Sequence, residues 1–347
     1  FLDLLTEYRD APALSFDIET FQGTITCIGL ARSRSDSICV PLTGQFNRWQ
    51  ERELLKKLKE ALEGPSLKVG QNLDYDVQYL VKLGIGVRNV WIDTMVAHSC
   101  MHPEMRHDLA TLTSLYTLKP YFKEMRKEAI SGAYNETMWE YNGYDCCVTL
   151  EIAIALHEEL RRTGVLSLFE TISMPVTKTL VRMEHTGVRI DDELRVARKQ
   201  ELSSQIETLM EDPKLGGVNP NSPKQVKDYL RENLPSSVYK TVKATDVHAL
   251  KSLRLKRPAL GDFIDTILEV RALRKIVGTY LGADAHEDGR IRTSYRTSAT
   301  DTGRLSSSKD VFGKGMNLQN VPFDQRDWFI PSTDMVFWDA DASQIEA

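Results

Sequence analysis

The sequence is poor in cysteine and has no long apolar run. Its 347 residues include 5 cysteines, and no two of them form a CxxC pair. An odd number of unpaired cysteines argues against a disulfide framework, so we expect reduced thiols in an intracellular protein. No stretch reaches the length of a membrane span and no secretory signal is visible, so we expect no membrane partner. Internal repeats and low-complexity tracts are also absent.

The chain also lacks an overall excess of positive charge. It has 44 Lys and Arg against 49 Asp and Glu, a net charge of -5. The charge is uneven: residues 1–163 carry 18 basic and 23 acidic side chains, whereas residues 223–281 carry 12 and 6, giving local charges of -5 and +6. The second half can therefore contain a basic surface for phosphates that the average conceals.

Hydrophobic periodicity divides the chain into two parts. Residues 13–42 alternate like paired strands, and a helical pattern over 137–164 ends at Gly164. Asn72 is the expected N-cap of a helix that runs to Gly84. Further helical patterns cover about 49–63, 90–101, 107–118, 170–186, 191–211, a segment from Pro223, and 259–281. Strands and turns follow from 288, so we predict an α/β domain and then a mostly helical region.

Acidic residues stand in apolar settings at three places. In the segment ALSFDIETF, Asp17 and Glu19 are two residues apart and share one face of the predicted strand. Asp76 lies in the first turn of the helix in GQNLDYDVQYL, and Tyr141 and Asp145 share a helix face at i, i+4. Carboxylates are rarely buried without a partner or a metal.

These carboxylates make chemical sense if they converge in space. Oxygen ligands suit Mg²⁺ or Mn²⁺, and two ions about 3.5–4 Å apart can hold the attacking and leaving oxygens of a phosphodiester. Each element alone also has an ordinary explanation. An Asp near a helix N-terminus is favoured by the helix dipole, and two acids on a strand can be a salt-bridged edge.

A histidine-rich segment, HSCMHPEMRH, offers a competing metal site. It places His98, Cys100, His102 and His107 within ten residues. Zinc is conceivable there, but the spacing matches no common zinc pattern. We expect His107 to cap the next helix instead.

The segments FDIET, NLDYD and YNGYD resemble the three exonuclease motifs of the DEDD superfamily, in its tyrosine branch. The greatest similarity is to the proofreading domain of family A (polymerase I-like) DNA polymerases. DTM at 93–95 and HDLATL at 107–112 also fall where that family has similar segments. The resemblance implies a ribonuclease H-like 3′-5′ exonuclease domain over residues 1–164.

The same resemblance implies residue roles around two Mg²⁺ or Mn²⁺ ions. Asp17 would bridge both ions, with Glu19 and Asp145 completing the site for the first and Asp76 reaching the second. Tyr141 would orient the attacking water, with help from Glu19. The product would be 5′-mononucleotides released from the 3′ ends of DNA.

The segment TGRLSSSKDVFGKGMNLQNVP resembles a family A signature, TGRLSS…NLQN(I/V)P. The resemblance implies that Arg304, Asn317, Gln319 and Asn320 contact primer–template DNA. The insert KDVFGKGM makes this segment longer than usual and is similar to some phage-type members, which favours a phage-type polymerase.

The final segment, MVFWDADASQIEA, resembles polymerase motif A, a strand of the palm. This implies that Asp341 binds Mg²⁺ in the polymerase site and that Glu346 helps to select dNTPs over ribonucleotides. Ala342 replaces the usual aromatic residue, and Asp339 is a competing carboxylate on the same strand face.

The segments SPKQVKDYL and TDVHALKSL resemble parts of the family's thumb. We therefore expect a mainly helical thumb over 165–285 and the beginning of an α+β palm over 286–347. Four lysines are candidate contacts for the DNA backbone, namely Lys224, Lys227, Lys240 and Lys243. A solvated basic face is the alternative.

Together these features predict a fragment of a DNA-directed DNA polymerase with 3′-5′ proofreading activity, in the cytoplasm of a bacterial or phage-infected cell. The chain begins with Phe and ends inside motif A, so we expect an incomplete polymerase site and no templated incorporation. A longer parent or a separate polypeptide would complete the palm and fingers, and a processivity factor is a candidate partner. The alternatives are a stand-alone exonuclease, which has no use for residues 300–346, and a non-catalytic DNA-binding subunit, which would not need all four acids.

Overall fold

The computed structural model describes residues 2–42, 44–120 and 136–341. The chain forms two compact units, each built from two stretches of sequence. Unit 1 comprises Phe1–Thr186 and Ser294–Gly313, and unit 2 comprises Gly187–Thr293 and Lys314–Ala347. The sequence-based boundaries after residues 164 and 285 stay predictions.

A mixed five-stranded sheet forms the centre of unit 1. Its strands are β1 (Ala13–Phe21), β2 (Thr24–Ser33), β3 (Asp36–Pro41), β4 (Leu67–Gly70) and β5 (Val90–Asp93). The strand order is β3-β2-β1-β4-β5, with antiparallel β1–β2 and β2–β3 pairs and parallel β1–β4 and β4–β5 pairs. β1 is therefore paired on both sides, which fixes the direction of its side chains.

Helices cover this sheet. They are α1 (Leu2–Arg9), α2 (Arg48–Glu63), α3 (Leu73–Lys82), α4 (Thr94–Met101), α5 (Leu109–Tyr116), α6 (Glu136–Thr163), the single turn α7 (Leu166–Leu168) and α8 (Met174–Thr186). A π-helical turn over Phe169–Ser173 leads into α8. The long helix α6 packs across β1, β2 and β3, and its Met138 and Cys146 lie in clusters with Cys27 and Ala31 of β2. The helix over 137–164 is therefore observed nearly as the sequence predicts it.

The start of α3 corrects one prediction. Asn72 occupies the N-cap position, as predicted, but it has a left-handed backbone with φ of 57° and its side chain makes no cap hydrogen bond. The carboxylate of Asp93 takes that role, since it accepts from the N–H groups of Asn72 at 3.1 Å and Leu73 at 2.7 Å. It also accepts from Met95 at 2.9 Å and Val96 at 3.4 Å, at the start of α4. One buried carboxylate thus serves two helix N-termini.

Two further local predictions differ from the structure. The first four residues of the segment 90–101 form β5, because they pair with β4, and only the remainder is helical. Asp108, rather than His107, caps α5 by accepting from the N–H of Thr111 at 3.2 Å. His107 is buried instead, with Nδ1 2.7 Å from Nδ1 of His98.

Unit 2 is mainly helical where it is described. It contains α9 (Asp192–Met210), α10 (Pro223–Asn233), α11 (Ser236–Tyr239), α12 (Val247–Lys256) and α13 (Gly261–Lys275), with β6 (Val188–Arg189) paired antiparallel to β7 (Arg290–Ile291). Val226, Leu250 and Ile264 are fully buried between the helices, and the rings of Tyr229 and Phe263 stack with centroids 3.9 Å apart. None of the described helices is long and apolar enough to cross a bilayer.

A hairpin from late in the sequence belongs to unit 1. Its strands are β8 (Ser294–Arg296) and β9 (Ser306–Ser308), and β8 packs against α8. The insert KDVFGKGM follows it, and the ring of Phe312 lies 4.8 Å from that of Tyr79 on α3. Lys82 Nζ stands 3.0 Å from the centroid of the Phe312 ring. The first half of the insert therefore packs against α3 through Phe312.

The prediction of a strand at motif A is wrong for residues 335–341, the described part of that segment. Residues 335–341 are in neither a helix nor a strand. Met335, Phe337 and Trp338 are exposed, although they are apolar. Alternation alone does not make a strand, because its backbone groups need a neighbouring strand to pair with, and none of the described residues pairs with this segment.

Candidate active site

One cleft in unit 1 collects the five residues predicted for the exonuclease. It has a volume of about 510 Å³ and lies at the surface of the sheet where β1 faces α3 and α6. Its lining includes Asp17, Glu19, Asp76, Tyr141 and Asp145. Side chains that are separated by more than a hundred residues in sequence therefore meet in one place.

Three of the carboxylates come close enough to share a metal ion. Asp17, Glu19 and Asp145 each offer a ligand atom, and these atoms lie within 4.8 Å of one another. Asp76 lines the same cleft, but its Oδ1 accepts from the backbone N–H of Ile18 at 2.9 Å, between the two acids of β1. That bond holds Asp76 against β1 in the lining of the cleft.

The electrostatics of the cleft favour a bound cation. Burial raises the pKa of Asp17 well above its usual range, and the charges of Asp76, Glu19 and Asp145 raise it further. Burial also raises the pKa of Asp76, although the hydrogen bond from Ile18 opposes that shift. A divalent cation would offset both causes, because it neutralises the neighbouring charges and favours the ionised carboxylates. The donor set consists of oxygen atoms, as Mg²⁺ and Mn²⁺ require.

Tyr141 and Asp145 reach the cleft from α6. They lie one turn apart, with 5% and 9% of their surface exposed. In this turn Tyr141 packs in a cluster with Cys27 of β2, and the neighbouring Asn142 donates to Asp17 of β1. The i, i+4 spacing predicted from the sequence thus places both side chains on the face of α6 that lines the cleft.

Sequence reasoning missed several residues around this site. Asn142 is fully buried, and its Nδ2 donates to Asp17 Oδ2 at 2.7 Å. Gln71 and Arg106 also line the cleft, and Gln71 Nε2 donates to the backbone oxygen of His107. The only local signal for Asn142 was a polar amide inside the otherwise functional segment YNGYD.

The predicted DNA-binding residues around the polymerase signature fall in both units. Arg304 is exposed in unit 1. In unit 2, Asn317 caps the short helix Leu318–Asn320 by accepting from the N–H of Asn320 at 3.2 Å, whereas Gln319 is exposed. These positions do not test the predicted DNA contacts, which therefore stay predictions.

The predicted motif A residues and basic residues lie in unit 2. Asp339 and Asp341 are exposed, while Ala342 and Glu346 lie outside the described residues. Among the four lysines, Lys224, Lys240 and Lys243 are exposed. Lys227 is half-buried, and its Nζ donates to the backbone oxygen of Lys243 at 3.0 Å.

Family models match both parts of the chain. Residues 1–161 match the model described as 3′-5′ exonuclease, and residues 191–347 match DNA polymerase family A. DNA polymerase I of Synechocystis sp. is 33% identical over 304 residues, which are 80% of this chain and 30% of that protein. DNA polymerase I of Pseudomonas aeruginosa is 29% identical over 99% of this chain and 41% of that protein.

A solved structure is similar over nearly the whole chain. It is the POL domain of Pol1 from M. smegmatis in complex with DNA primer-template and dNTP, with a TM-score of 0.73 and 25% identity over 95% of this chain and 57% of that one. The chain spans 30% to 41% of the length of the two curated relatives. These relatives are bacterial, so they do not support the phage-type expectation. Residues 1–161 are thus similar to the 3′-5′ exonuclease family, and residues 191–347 are similar to DNA polymerase family A.

Proposed function

We propose that unit 1 is a proofreading exonuclease of the DEDD tyrosine branch, with a ribonuclease H-like fold, that removes 5′-mononucleotides from the 3′ ends of DNA. One observation carries the proposal. The carboxylates of Asp17, Glu19 and Asp145 lie within 4.8 Å of one another in the cleft that Asp76 and Tyr141 also line. A set of acids this dense is suited to divalent cations and, through them, to a phosphodiester.

In this proposal each side chain has a distinct task. Asp17 would help to hold two Mg²⁺ or Mn²⁺ ions, Glu19 and Asp145 would help to hold the first, and Asp76 would help to hold the second. Such ions lower the pKa of water and stabilise charge on the phosphate when they are bound. The Tyr141 hydroxyl and the Glu19 carboxylate orient the attacking water.

We extend the proposal to the remaining sequence through the second family. The complete protein would extend primers on DNA templates with dNTPs, as the ligands of the M. smegmatis relative suggest. Residues 165–285 would form the thumb and 286–347 the start of the palm, with Asp341 binding Mg²⁺ and Glu346 selecting dNTPs. Arg304, Asn317, Gln319 and Asn320 would contact the primer–template.

The decisive experiment is a nuclease assay with this chain on 3′-labelled single-stranded DNA, with Mg²⁺ or with EDTA. We expect release of labelled mononucleotide that requires Mg²⁺. Asp17→Ala and Asp145→Ala should each lower the rate on the order of 10³-fold, because each removes several kcal/mol of stabilisation.

Glu158→Ala is the matched control for Asp145→Ala. Glu158 is an exposed acid on the same helix and pairs with Arg161 at the surface. The Glu158→Ala variant should trim DNA at the wild-type rate. Trimming that survives in Asp17→Ala and Asp145→Ala, or that proceeds equally in EDTA, would reject the proposed function.

A further inference from the structure

The side-chain amide of Asn142 is hydrogen-bonded to Asp17, the acid that would hold both ions. Its side chain is fully buried, and Nδ2 is 2.7 Å from Asp17 Oδ2 and 3.3 Å from the Asp17 backbone oxygen. The Sγ of Cys39 donates to Asn142 Oδ1 at 3.3 Å. A backbone carbonyl oxygen only accepts, so the contact with Asp17 requires the orientation in which Nδ2 faces Asp17, and Oδ1 then accepts from the Cys39 thiol.

Three adjacent strands form the surface on which this amide lies. In the strand register Asp17 of β1 is opposite Gly29 of β2, and Gly29 is opposite Cys39 of β3. Asn142 lies across this row and contacts its two ends. A Cβ on Gly29 would stand 2.3 Å from Asn142 Oδ1, which is closer than real Cβ contacts allow. The glycine therefore leaves the space that the amide occupies.

The amide restricts the orientation of the Asp17 carboxylate. Asn142 Nδ2 donates to Asp17 Oδ2 at 2.7 Å, so this oxygen is held toward α6 and rotation of the carboxylate is limited.

We propose that Asn142 is a positioning residue, which holds the Asp17 carboxylate in the orientation that lets it join Glu19 and Asp145 around a divalent cation. This inference rests on the proposed function of the cleft. It predicts that loss of the amide weakens cation binding, whereas the rate at saturating cation changes little. A buried amide that serves only to pack α6 onto the sheet would affect unfolding and leave cation binding unchanged.

The test compares Asn142→Ala with the unaltered chain in three measurements. These are the Kd for Mn²⁺ by calorimetry, the Mg²⁺ concentration that gives half-maximal trimming, and the trimming rate at saturating Mg²⁺. We expect the first two to rise about tenfold, because the Asp17 carboxylate would lose the hydrogen bond that fixes its orientation. We expect the saturated rate to stay within about threefold.

Three further variants keep the test decisive if Asn142→Ala unfolds. Cys39→Ala removes the thiol that orients the amide and should raise the Mn²⁺ Kd about twofold to threefold, whereas Cys39→Ser keeps a donor and should stay near wild type. Thr149→Ala is the matched control, since Thr149 is buried two turns further along α6 and is outside the cleft lining among the described residues.

The outcomes separate this inference from the proposed function. A folded Asn142→Ala with wild-type Mn²⁺ affinity, or a Thr149→Ala that weakens Mn²⁺ equally, would overturn the role of Asn142. If the unaltered chain binds Mn²⁺ but does not trim DNA, the proposed function fails, while the Mn²⁺ comparison still tests Asn142. If the unaltered chain does not bind Mn²⁺, both proposals are wrong.

Discussion

The two acidic segments of this chain have very different surroundings. Asp17 and Glu19 lie on β1 where it pairs with β2, just beyond the three residues that pair with β4, and Phe16 beside them is 1% exposed. The segment that carries Asp339 and Asp341 has no strand partner among the described residues, and its Trp338 is 89% exposed. Both segments resemble family motifs, but only the first holds its acids in fixed positions.

The difference shows what a motif can and cannot determine. A motif identifies the residue types that a reaction needs, whereas the packing of neighbouring elements determines where their oxygen atoms lie. In unit 1 the acids come from β1, α3 and α6, and each of these elements packs against other strands or helices of the unit. The candidate exonuclease site is therefore defined in the structure, and the polymerase residues remain known only by their motif.

The largest expected difference is between the stability of a variant at Asp93, which holds two helices of unit 1, and that of a variant at Asp341. Asp93→Ala removes the acceptor for N–H groups at the starts of both α3 and α4. We expect it to lower the free energy of unfolding by about 2–3 kcal/mol, since one N-cap contributes about 1 kcal/mol and the buried donors would lose their partner. Asp341→Ala, at an exposed residue, should change it by less than about 0.5 kcal/mol.

Urea unfolding followed by circular dichroism measures both variants. Trimming should also fall in Asp93→Ala, because α3 carries Asp76. If both variants lost the same free energy of unfolding, Asp341 would be as important to the fold as Asp93. That result would contradict the difference between the two acidic segments.

A second prediction concerns the hairpin that joins residues of the polymerase signature to unit 1. Glu184 of α8 accepts from the backbone N–H of Tyr295 in β8 and from Gln78 Nε2 at 3.1 Å. Burial, followed by the charge of Asp74, raises the pKa of Glu184 to about 9. Between its ordinary pKa and this value the folded protein binds a proton that the unfolded chain lacks, so this group's contribution to stability falls as pH rises.

Glu184→Gln mimics the protonated acid and should flatten that dependence. At pH 9 we expect the variant to melt about 2–4 °C above the unaltered chain, a gain of about 1 kcal/mol, and at pH 5 the two should agree. Thermal unfolding between pH 5 and 9 gives the comparison. A variant whose stability declines with pH as steeply as wild type would show that Glu184 is ionised in the folded protein.

The smallest effects are expected from the basic part of unit 2. Lys224→Ala, Lys240→Ala and Lys243→Ala should each lower the slope of log binding constant against log salt by about one if the lysine contacts a phosphate. Lys227→Ala should have less effect, because Lys227 is bonded to the backbone of Lys243. Fluorescence anisotropy with primer–template DNA measures these slopes.

Lys59→Ala, in unit 1, is the control for these variants. Unchanged slopes in all the unit 2 variants would leave the basic charge as a solvated surface. They would also widen the contrast between the two halves, because the second half would then have no established DNA contact.

Local sequence pattern predicted those features that depend on local contacts. The three alternating strands, the helix over 136–163 and the shared face of Tyr141 and Asp145 follow from periodicity and spacing. The cap of α3 did not follow, since the acceptor is Asp93, some twenty residues away, and Asn72 has a left-handed backbone. Asn142 was missed for the same reason, because its partners are 103 and 125 residues distant in sequence.

The division of unit 1 into two stretches affects how it is made. A ribosome completes Phe1–Thr186 and then the whole of Gly187–Thr293 before the hairpin and Phe312 emerge. During that interval Tyr79 lacks the contact with the Phe312 ring, and Glu184 lacks the Tyr295 N–H. Unit 1 therefore gains these contacts only after a later part of the chain is made, and a gene fragment that stops at Thr186 would encode a unit in which the Phe312 side of α3 is uncovered.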